Sequence, residues 1–407
     1  MIILFDLDDT LLENPMERFL PAYFQLLSKH LSDHIPPEKL PEAILNGTEL
    51  MIKNIDPSKT LEECFDEYFY PRLGKNKSDL IGSINDFYEN QFPSLKAVTG
   101  EIPRVAEIVK KILQAGHKLV IATNPLFPKL AIDHRIRWAN LGIYLSDFEY
   151  ITNYEELHFT KPRPEFLTEI LGKIGWPEET VVMVGNEWEM DIIPAEQLGM
   201  PTYYIGSIPS EYEGNLNPLS SSGSIDNLME WINSIDPSLN PIEKTNSVLA
   251  IQAILRSTAA NLDSYQRMNF DTNLFNVRPS HDEWSIVEIF SHLADVDYEV
   301  NIPRLESIKN GTLKFIEAAQ TDHWAEERFY INNNPIEEIN RFIKNRINLL
   351  EIISSFDENL WPRSINHAIF GPTSIIELAK FITQHDRIHI SQIVNTLRHI
   401  TTSNKVI

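Results

Sequence analysis

Apolar and polar residues follow two different patterns along this chain. In its first part, short apolar runs such as IILF, KLVI, VVMV and TYYI alternate with longer amphipathic stretches. A short apolar run bounded by polar residues predicts a buried strand, and an amphipathic stretch with apolar positions three and four apart predicts a helix. Strands that alternate with helices in this way indicate β-α units around a parallel sheet.

Two regions depart from this alternation. Residues from about 15 to 95 have helical spacing and many aromatic side chains, which predicts a helical insert after the first strand. Residues 206–246 are rich in Ser, Pro, Asn and Gly around one short helical stretch, IDNLMEWINSI. We therefore expect an α/β domain over residues 1–235, with the insert at about 15–95, and a linker over residues 236–245.

From residue 246 onward the pattern predicts helices and no strands. Four long amphipathic segments begin with SVLAIQAIL, EWSIVEIF, PIEEINRF and TSIIELAK. Four such segments in succession are typical of a four-helix bundle. The second domain, residues 246–407, is therefore expected to be an all-α four-helix bundle.

The charge of the chain narrows the range of partners. With 35 Lys and Arg against 58 Asp and Glu, the formal net charge is −23 at pH 7. A surface this acidic disfavours non-specific binding to nucleic acid and to anionic membranes. Most of the excess lies in the first domain, because residues from 241 onward carry 16 Lys and Arg against 21 Asp and Glu. We expect no nucleic-acid partner and no membrane partner.

The cysteine content and the N-terminal residues indicate the cellular compartment of the protein. The sequence has one cysteine, Cys64, which excludes an internal disulfide framework and a cysteine-based zinc cluster. A reducing cytosol fits this composition. The start MIILFDLDDT lacks the basic segment of a signal peptide, and no apolar run approaches the ~18 residues of a membrane span. We expect a cytoplasmic protein.

Two aspartates follow the first predicted strand. Asp6 and Asp8 stand one residue apart in LFDLDDTLL. Side chains at the carboxyl end of a strand in an open α/β sheet project into the crevice where ligands bind. Two carboxylates there suit Mg²⁺, which prefers oxygen ligands, and a carboxylate can also attack phosphorus while a protonated one donates to a leaving oxygen. The alternative is a solvated acidic loop.

Three further stretches place polar residues at the ends of strands or in loops. Thr123 and Asn124 follow the predicted strand KLVI, where a hydroxyl and an amide could hold a phosphoryl oxygen. Lys161 stands before two prolines in FTKPRPEF, where it could neutralise an aspartate–phosphate pair. The strand VVMVG ends in acidic residues that include Glu187 and Asp191. Taken singly, each of these is a common turn or loop residue.

In this order the motifs resemble the haloacid dehalogenase-like (HAD) phosphatase superfamily over residues 1–235. The resemblance rests on Asp6-x-Asp8-x-Thr10, Thr123, Lys161 and the segment 185–191. It implies a Rossmann-like core, Mg²⁺, a nucleophilic Asp6 that becomes an aspartyl-phosphate, and Asp8 as general acid/base that also ligates the metal through its backbone carbonyl. It further implies that Thr123 and Lys161 bind and neutralise the phosphoryl group.

The same resemblance assigns the helical insert to a cap that excludes water and selects a small phosphorylated metabolite. The presence of Asp8 speaks against a dehalogenase, since those members typically lack the second acid. One residue departs from the pattern, because Asn186 stands where the fourth motif usually has its first Asp. The Mg²⁺ site would then consist of Asp6, Asp8, Asn186, Glu187 and Asp191, with Asp191 the surer ligand and the affinity for Mg²⁺ left open.

A second group of candidate residues is found near the C-terminus. His385 and His389 in FITQHDRIHISQI share one helical face because they are four residues apart. His292, on the second predicted helix of the bundle, could supply a third imidazole to the same ion. Three protein ligands leave positions open for water or substrate on Zn²⁺ and similar ions. The alternative is a set of hydrogen-bonded core or surface histidines.

The segments EWSIVEIFSHLADVD and GPTSIIELAKFITQHDRIHISQI are similar to the DinB-like four-helix-bundle superfamily, from about residue 246 to the end. By that resemblance His292, His385 and His389 form a triad for Zn²⁺ or Ni²⁺. Some members are thiol-S-transferases that activate a low-molecular-weight thiol, and members often form dimers, so a homodimer through the bundle is expected. His281, His323 and His367 fall in predicted loops, where they either line the metal cavity or lie on the surface.

These predictions describe a Mg²⁺-dependent phosphatase fused to a metal-binding bundle. Two alternatives for the bundle stay open, a metal-dependent thiol-S-transferase and a non-catalytic module for dimerisation or sensing. The sequence does not name the physiological substrate, the metal of the triad or the oligomeric state.

Overall fold

The computed structural model describes residues 1–212, 214, 216–238, 247–268 and 271–403. The chain divides into two compact units, Met1–Ile170 with Glu178–Thr245 and Leu171–Pro177 with Asn246–Ile407. Most of the predicted linker, residues 239–245, lies outside the described residues, as do residues 246 and 404–407 of the second predicted domain. The residue boundaries of the predicted domains therefore stay a prediction.

The first unit is built on a six-stranded parallel sheet. In chain order the strands of this unit are β1 (Ile2–Phe5), β2 (Leu12–Glu13), β3 (Gly100–Glu101), β4 (Lys118–Ile121), β5 (Phe148–Ile151), β6 (Val181–Gly185), β7 (Thr202–Ile205) and β8 (Ser221–Gly223). The sheet has the order β5-β4-β1-β6-β7-β8, and β2 pairs separately with β3. The apolar runs make β1 and β6 buried along their whole length, as expected for strands covered on both faces.

Strand β1 lies at the centre, parallel to β4 on one side and to β6 on the other. The segments that follow these three strands therefore leave the sheet at the same edge. Asp6 follows β1, Thr123 follows β4 and Asn186 follows β6. The order of the strands thus brings three of the predicted motifs to one place.

Nine α-helices precede residue 246 in the described part of the chain, and the seventh extends from the first unit into residues 171–173 of the second. They are α1 (Met16–His30), α2 (Leu40–Lys53), α3 (Leu61–Arg72), α4 (Lys77–Asp86), α5 (Val105–Gln114), α6 (Lys129–Trp138), α7 (Pro164–Lys173), α8 (Ile193–Gln197) and α9 (Leu228–Ser234). Helices α1–α4 lie between β2 and β3, where the aromatic residues predicted a helical insert. Phe19, Tyr23, Phe87 and Phe92 pack ring against ring there.

The second unit is mainly helical. Its helices are α10 (Val248–Arg267), α11 (Ile286–Val296), α12 (Ile302–Lys309), α13 (Trp324–Glu327), α14 (Pro335–Ser354) and α15 (Ile375–Ser403). The π-helical turn Asp297–Asn301 joins α11 to α12, so the four predicted segments correspond to α10, α11 with α12, α14 and α15. Leu255, Leu305, Leu349 and Ala379 contribute to their shared core.

The second unit also contains a small sheet that the sequence pattern did not predict. Its strands are β9 (Phe315–Ile316), β10 (Ser364–His367) and β11 (Gly371–Ser374), in the order β11-β10-β9. These strands are short and half exposed, so they lack the apolar runs on which strand prediction rests. Among the described residues, no helix combines the length and the apolar character needed to cross a membrane.

Candidate functional site

Asp6, Lys161 and Asp191 meet at the carboxyl edge of the first unit's sheet. The Lys161 Nζ donates to Asp6 Oδ1 and to Asp191 Oδ1, at 2.6 Å each. All three residues are buried. The sequence predicted each of them separately, and the fold brings them into direct contact although 155 residues separate Asp6 from Lys161.

Asp8 lies beside this group and is held by two side chains. Arg135 Nη1 donates to Asp8 Oδ2 at 2.5 Å, and Asn14 Nδ2 donates to Asp8 Oδ1 at 2.8 Å. Arg135 comes from α6 and is 2% exposed. Its Nε and Nη2 find no hydrogen-bond partner among the described residues.

Sequence reasoning missed Arg135 and Asn14. A signal for Arg135 was present, because Ala131, Ile132 and Ile136 mark an apolar helical face on which Arg135 also lies. An arginine on such a face needs a buried acid as its partner. The motif residues alone did not say which acid that is.

Thr123 and Asn124, which follow β4, each accept a hydrogen bond from another loop of the domain. Thr123 is buried, and its backbone carbonyl accepts a hydrogen bond from Thr152 Oγ1 at 2.7 Å. The Asn124 Oδ1 accepts from the backbone N–H of Lys161 at 3.2 Å. Asn124 therefore supports the loop that carries Lys161.

The fourth motif is arranged around Asp191. This residue lies in the π-helical turn Trp188–Ile192, and its Oδ2 accepts from the backbone N–H of Glu187 at 3.0 Å. The Glu187 side chain itself is exposed. The Asn186 Oδ1 accepts from the Thr10 hydroxyl at 2.8 Å, so this amide is tied to the first motif.

Burial sets the protonation tendencies of the acidic residues. Burial raises the pKa of Asp191 to about 7, against the opposing effect of the Lys161 charge. Burial also raises the pKa of Asp8, and Arg135 opposes this rise. Although the Glu187 side chain is exposed, partial shielding of its carboxyl group from water and then the nearby charge of Asp6 raise its pKa. These shifts favour a site in which one carboxyl retains a proton near neutral pH.

The donor set at this edge fits a magnesium ion. The carboxylates of Asp6, Asp8 and Asp191 outnumber the two cations Lys161 and Arg135, and oxygen ligands are those that Mg²⁺ prefers. A Cβ atom at residue 185 would lie 2.2 Å from Asp191 Oδ2, so the glycine there gives the carboxylate its room.

The second unit brings its three candidate histidines together. The Nε2 atoms of His292 and His385 are 3.0 Å apart, and those of His389 and His385 are 3.1 Å apart. Each neutral ring nitrogen has one proton or one in-plane lone pair, so His385 Nε2 can satisfy only one of these contacts as a hydrogen bond. Three nitrogens about 2.0–2.1 Å from a tetrahedral Zn²⁺ would lie about 3.3 Å apart. The triad therefore fits a transition metal.

Neighbouring groups keep these imidazoles ready to act as ligands. Burial, followed by the charge of another histidine of the triad, lowers the pKa of each ring to about 3, so all three are neutral at pH 7. His389 Nδ1 lies 2.6 Å from Gln392 Oε1. Because an amide oxygen only accepts, the ring proton of His389 resides on Nδ1 and its Nε2 lone pair faces the triad.

The helix that carries His385 and His389 is anchored by a buried ion network. Arg346 on α14 donates to Asp297 at 2.7 Å and pairs with Asp386 on α15. All three side chains are 1% exposed. His281 is 98% exposed, whereas His367 is buried in β10, so the three loop histidines of the sequence prediction do not share one environment.

Two stretches of the chain match two known protein families. Residues 3–205 match the haloacid dehalogenase-like hydrolases, and residues 254–393 match the DinB superfamily. The chain therefore joins a haloacid dehalogenase-like hydrolase domain to a DinB-superfamily domain, which confirms both resemblances predicted from the motifs.

Two curated proteins are similar to one domain each. The glyceraldehyde 3-phosphate phosphatase of Methanocaldococcus jannaschii is 28% identical over 233 residues, which are 57% of this chain and 96% of that protein. The uncharacterized protein YuaE of Bacillus subtilis is 28% identical over 129 residues, which are 29% of this chain and 79% of that protein.

Solved structures also resemble each domain in turn. A HAD phosphatase from Thermococcus onnurineus is 16% identical, with a TM-score of 0.37 over 57% of this chain and 97% of its own. YfiT from Bacillus subtilis, described as a probable metal-dependent hydrolase with an unusual four-helix bundle topology, is 12% identical, with a TM-score of 0.34 over 38% of this chain and 87% of its own. Neither score supports a conclusion about function.

Proposed function

We propose that the first domain is a Mg²⁺-dependent phosphatase that hydrolyses a small phosphate monoester through an aspartyl-phosphate on Asp6. This proposal rests on the buried contacts of Lys161 with Asp6 and Asp191. They lie at the carboxyl edge of the sheet in a domain that matches a hydrolase family. Lys161 neutralises the nucleophile and gives a fixed positive charge to the site where a phosphoryl group would react.

In the first step, an Asp6 carboxylate oxygen attacks phosphorus and the bond from phosphorus to the ester oxygen breaks. The leaving oxygen takes a proton from the Asp8 carboxyl group and departs as an alcohol. Burial favours the protonated form of Asp8 that this step requires, and Arg135 with Asn14 hold the carboxyl group in place.

In the second step, water attacks phosphorus of the aspartyl-phosphate and gives its proton to Asp8. The Asp6–phosphorus bond breaks, so Asp6 is regenerated and inorganic phosphate is released. Thr123 and Lys161 stabilise the phosphoryl oxygens in both steps. A Mg²⁺ ion held by Asp6, Asp191 and the Asp8 carbonyl, with Asn186 and Glu187 as further candidates, would supply additional charge neutralisation.

The proposed class of substrate rests on the size that the cap would admit and on the name of one relative. We infer that the helical insert acts as a cap that limits the substrate to a small molecule, and the M. jannaschii relative is named for a triose phosphate. We therefore place triose phosphates and other small phosphorylated metabolites first in a substrate panel.

The variant Asp6→Asn tests the phosphatase mechanism. With p-nitrophenyl phosphate and Mg²⁺, we expect turnover to fall about 10³-fold or more, because the amide cannot act as the nucleophile. Asp147→Asn makes the same chemical change at an exposed position of the same domain and should keep the wild-type rate. Equal turnover in Asp6→Asn and wild type would rule out this mechanism.

We also propose that His292, His385 and His389 bind Zn²⁺ or Ni²⁺ in the second domain. The convergence of three neutral Nε2 atoms supports this proposal. Metal analysis of His292→Ala should show loss of the transition metal, while His281→Ala, at an exposed histidine, should retain it. The same metal content in His292→Ala and wild type would contradict the triad.

An assay of thiol transfer distinguishes two possible roles of the second domain, a thiol-S-transferase and a non-catalytic module. If the bound metal activates a low-molecular-weight thiol as a thiolate, wild-type protein should transfer that thiol to an electrophile and His292→Ala should not. A metal-loaded protein without transferase activity would favour a non-catalytic role in sensing or dimerisation. The mass of the protein in solution then tests the homodimer.

A further inference from the structure

A cavity of about 370 Å³ lies beside the histidine triad within the second domain. His385 forms part of its wall. Small-molecule sites in proteins have volumes of about 300–1,000 Å³, and most of their lining is apolar. The volume therefore suits a ligand of metabolite size.

Apolar side chains form most of this wall. Leu305, Ile308 and Ile316 line it from α12 and β9, and Phe381 with Ile382 line it from α15. At its rim, Ile369 and Phe370 are 67% and 55% exposed. Large exposed apolar side chains at a cavity mouth are typical of a site that receives an apolar molecule.

Arg304 is the charged residue of this mostly apolar wall. Its Nη2 donates to the Glu317 backbone carbonyl at 2.6 Å, and among the described residues it has no carboxylate partner. Arg278, Arg341 and Arg346 of the same domain all pair with carboxylates. Burial lowers the pKa of Arg304, as expected for a cation withdrawn from water without a counter-charge.

His367 adds a neutral donor to the same cavity. Its Nδ1 accepts from the backbone N–H of Ile369 at 3.1 Å, so the ring proton resides on Nε2. Burial and then the charge of Arg304 lower the pKa of His367, which keeps the ring neutral at pH 7. A guanidinium group and an imidazole N–H thus share one wall that has no anion of its own.

We infer that this cavity binds a small organic carboxylate with an apolar body. The carboxylate pairs with Arg304 and His367, and the body lies against the apolar wall that ends at His385. A planar guanidinium group matches a carboxylate with two parallel hydrogen bonds, and a single arginine favours a monoanion. The binding step requires neither the phosphatase activity of the first domain nor a metal at the triad.

Calorimetric titration of the full chain with three eight-carbon probes tests this inference. Octanoate, 1-octanol and octylammonium share one apolar body and differ in charge. We expect saturable binding of octanoate at one site, about tenfold or more weaker binding of octanol, and the weakest binding of octylammonium. Equal affinities for octanoate and octanol, or no octanoate binding, would overturn the inference without any variant.

Three variants locate the site. Arg304→Gln should weaken octanoate binding about tenfold or more and leave octanol binding unchanged, whereas Arg363→Gln, at an exposed arginine, should change neither. Ala319→Trp places a large side chain in the cavity lining and should weaken both probes. Octanoate affinity that survives Arg304→Gln or Ala319→Trp would overturn the assignment.

His292→Ala separates this inference from the proposed metal site. His292 is not part of the cavity lining, so octanoate should bind this variant as it binds wild type, whatever its metal content. Loss of octanoate binding in His292→Ala would assign the anion to the metal instead of Arg304 and would overturn the inference.

Discussion

Arg135 is a residue outside the motifs that holds Asp8, the proposed general acid. Arg135 is buried, and its guanidinium carbon lies 4.9 Å from the centre of the Phe127 ring. The same guanidinium group donates a hydrogen bond to Asp8. The charge of Arg135 opposes the rise of the Asp8 pKa that burial causes. Arg135 thus orients the proposed general acid and sets how readily it gives up its proton.

Replacing Arg135 by Met should lower kcat/KM for p-nitrophenyl phosphate by about 10–100-fold. The variant keeps the apolar stem but leaves Asp8 with Asn14 as its remaining side-chain partner, so the acid loses its orientation. Steady-state kinetics with a thermal melt on the same sample measure the effect. Arg137→Met, an exposed arginine on the same helix, serves as the control, and a wild-type rate in both variants would contradict the role of Arg135.

Gln392 has a comparable position at the triad, because it fixes which nitrogen of His389 carries the proton. We expect Gln392→Leu to weaken transition-metal binding about 10–100-fold, as is usual when the partner of a ligating histidine is lost. Gln392→Glu keeps an oxygen acceptor and should restore the affinity. Competition with a chromogenic chelator gives the affinities.

Gln384→Leu provides the matched control for this prediction. Gln384 is exposed on the same helix and makes no hydrogen bond to the triad, so its replacement should leave the affinity unchanged. Equal losses in Gln384→Leu and Gln392→Leu would show that the effect comes from the helix as a whole and not from the His389 tautomer.

The difference between the predicted and the missed residues has a physical cause. His385 and His389 were predictable as a pair because a helix repeats its faces locally. The contact of Arg135 with Asp8 spans 127 residues, and its existence depends on how α6 packs against the sheet edge. Local periodicity contains no information on such a contact, so only the buried arginine itself signalled that an acid must be near.

Strands, like single residues, were predictable where the local sequence pattern marks them and were missed where only long-range contacts form them. Strands β1, β4, β6 and β7 were predicted because they are apolar runs buried in a parallel sheet. The edge strands β5, with sequence FEYI, and β8, with sequence SSG, carry no such run and were not predicted. Their backbone hydrogen bonds to β4 and β7 stabilise them, and hydrogen bonds between strands leave no mark on hydrophobic periodicity.

Helix α6, which carries Arg135, begins next to Glu155, whose carboxyl group has a raised pKa. Both carboxylate oxygens of Glu155 lie 3.1 Å from the backbone nitrogen of Lys129, the first residue of α6. Burial raises the pKa of Glu155 from 4.5 to about 7. Between these values the folded protein binds more protons than the unfolded chain, so this group's contribution to the free energy of unfolding decreases as the pH rises.

Glu155→Gln should therefore remove part of the pH dependence of stability. The amide still accepts from Lys129 but does not titrate, so from pH 5 to pH 8 the variant should gain on the order of 1–3 kcal/mol relative to wild type. Scanning calorimetry at both pH values, following the transition of the first domain, measures the difference. Glu178→Gln, at an exposed position of the same domain, should follow wild type, and parallel pH dependence in all three proteins would contradict the prediction.

At the scale of the whole molecule, the chain contains two sites of unlike chemistry. The first combines carboxylates with Lys161 and suits a hard cation, while the second combines neutral imidazoles and suits a softer one. The candidate ligands of each site lie within one compact unit, and the two sets share no residue.

We expect the two activities to be independent when measured in the full-length protein. Substitutions in two sets of residues that share no partner usually have additive effects, so Asp6→Asn should abolish phosphatase turnover and leave the transition-metal content unchanged. His292→Ala should do the reverse, and the double variant should show both losses without further change. Turnover with p-nitrophenyl phosphate and metal analysis on the same four samples provide the comparison. A decrease in phosphatase kcat of more than about threefold in His292→Ala, with the first domain's thermal transition unchanged, would instead indicate energetic coupling between the two sites.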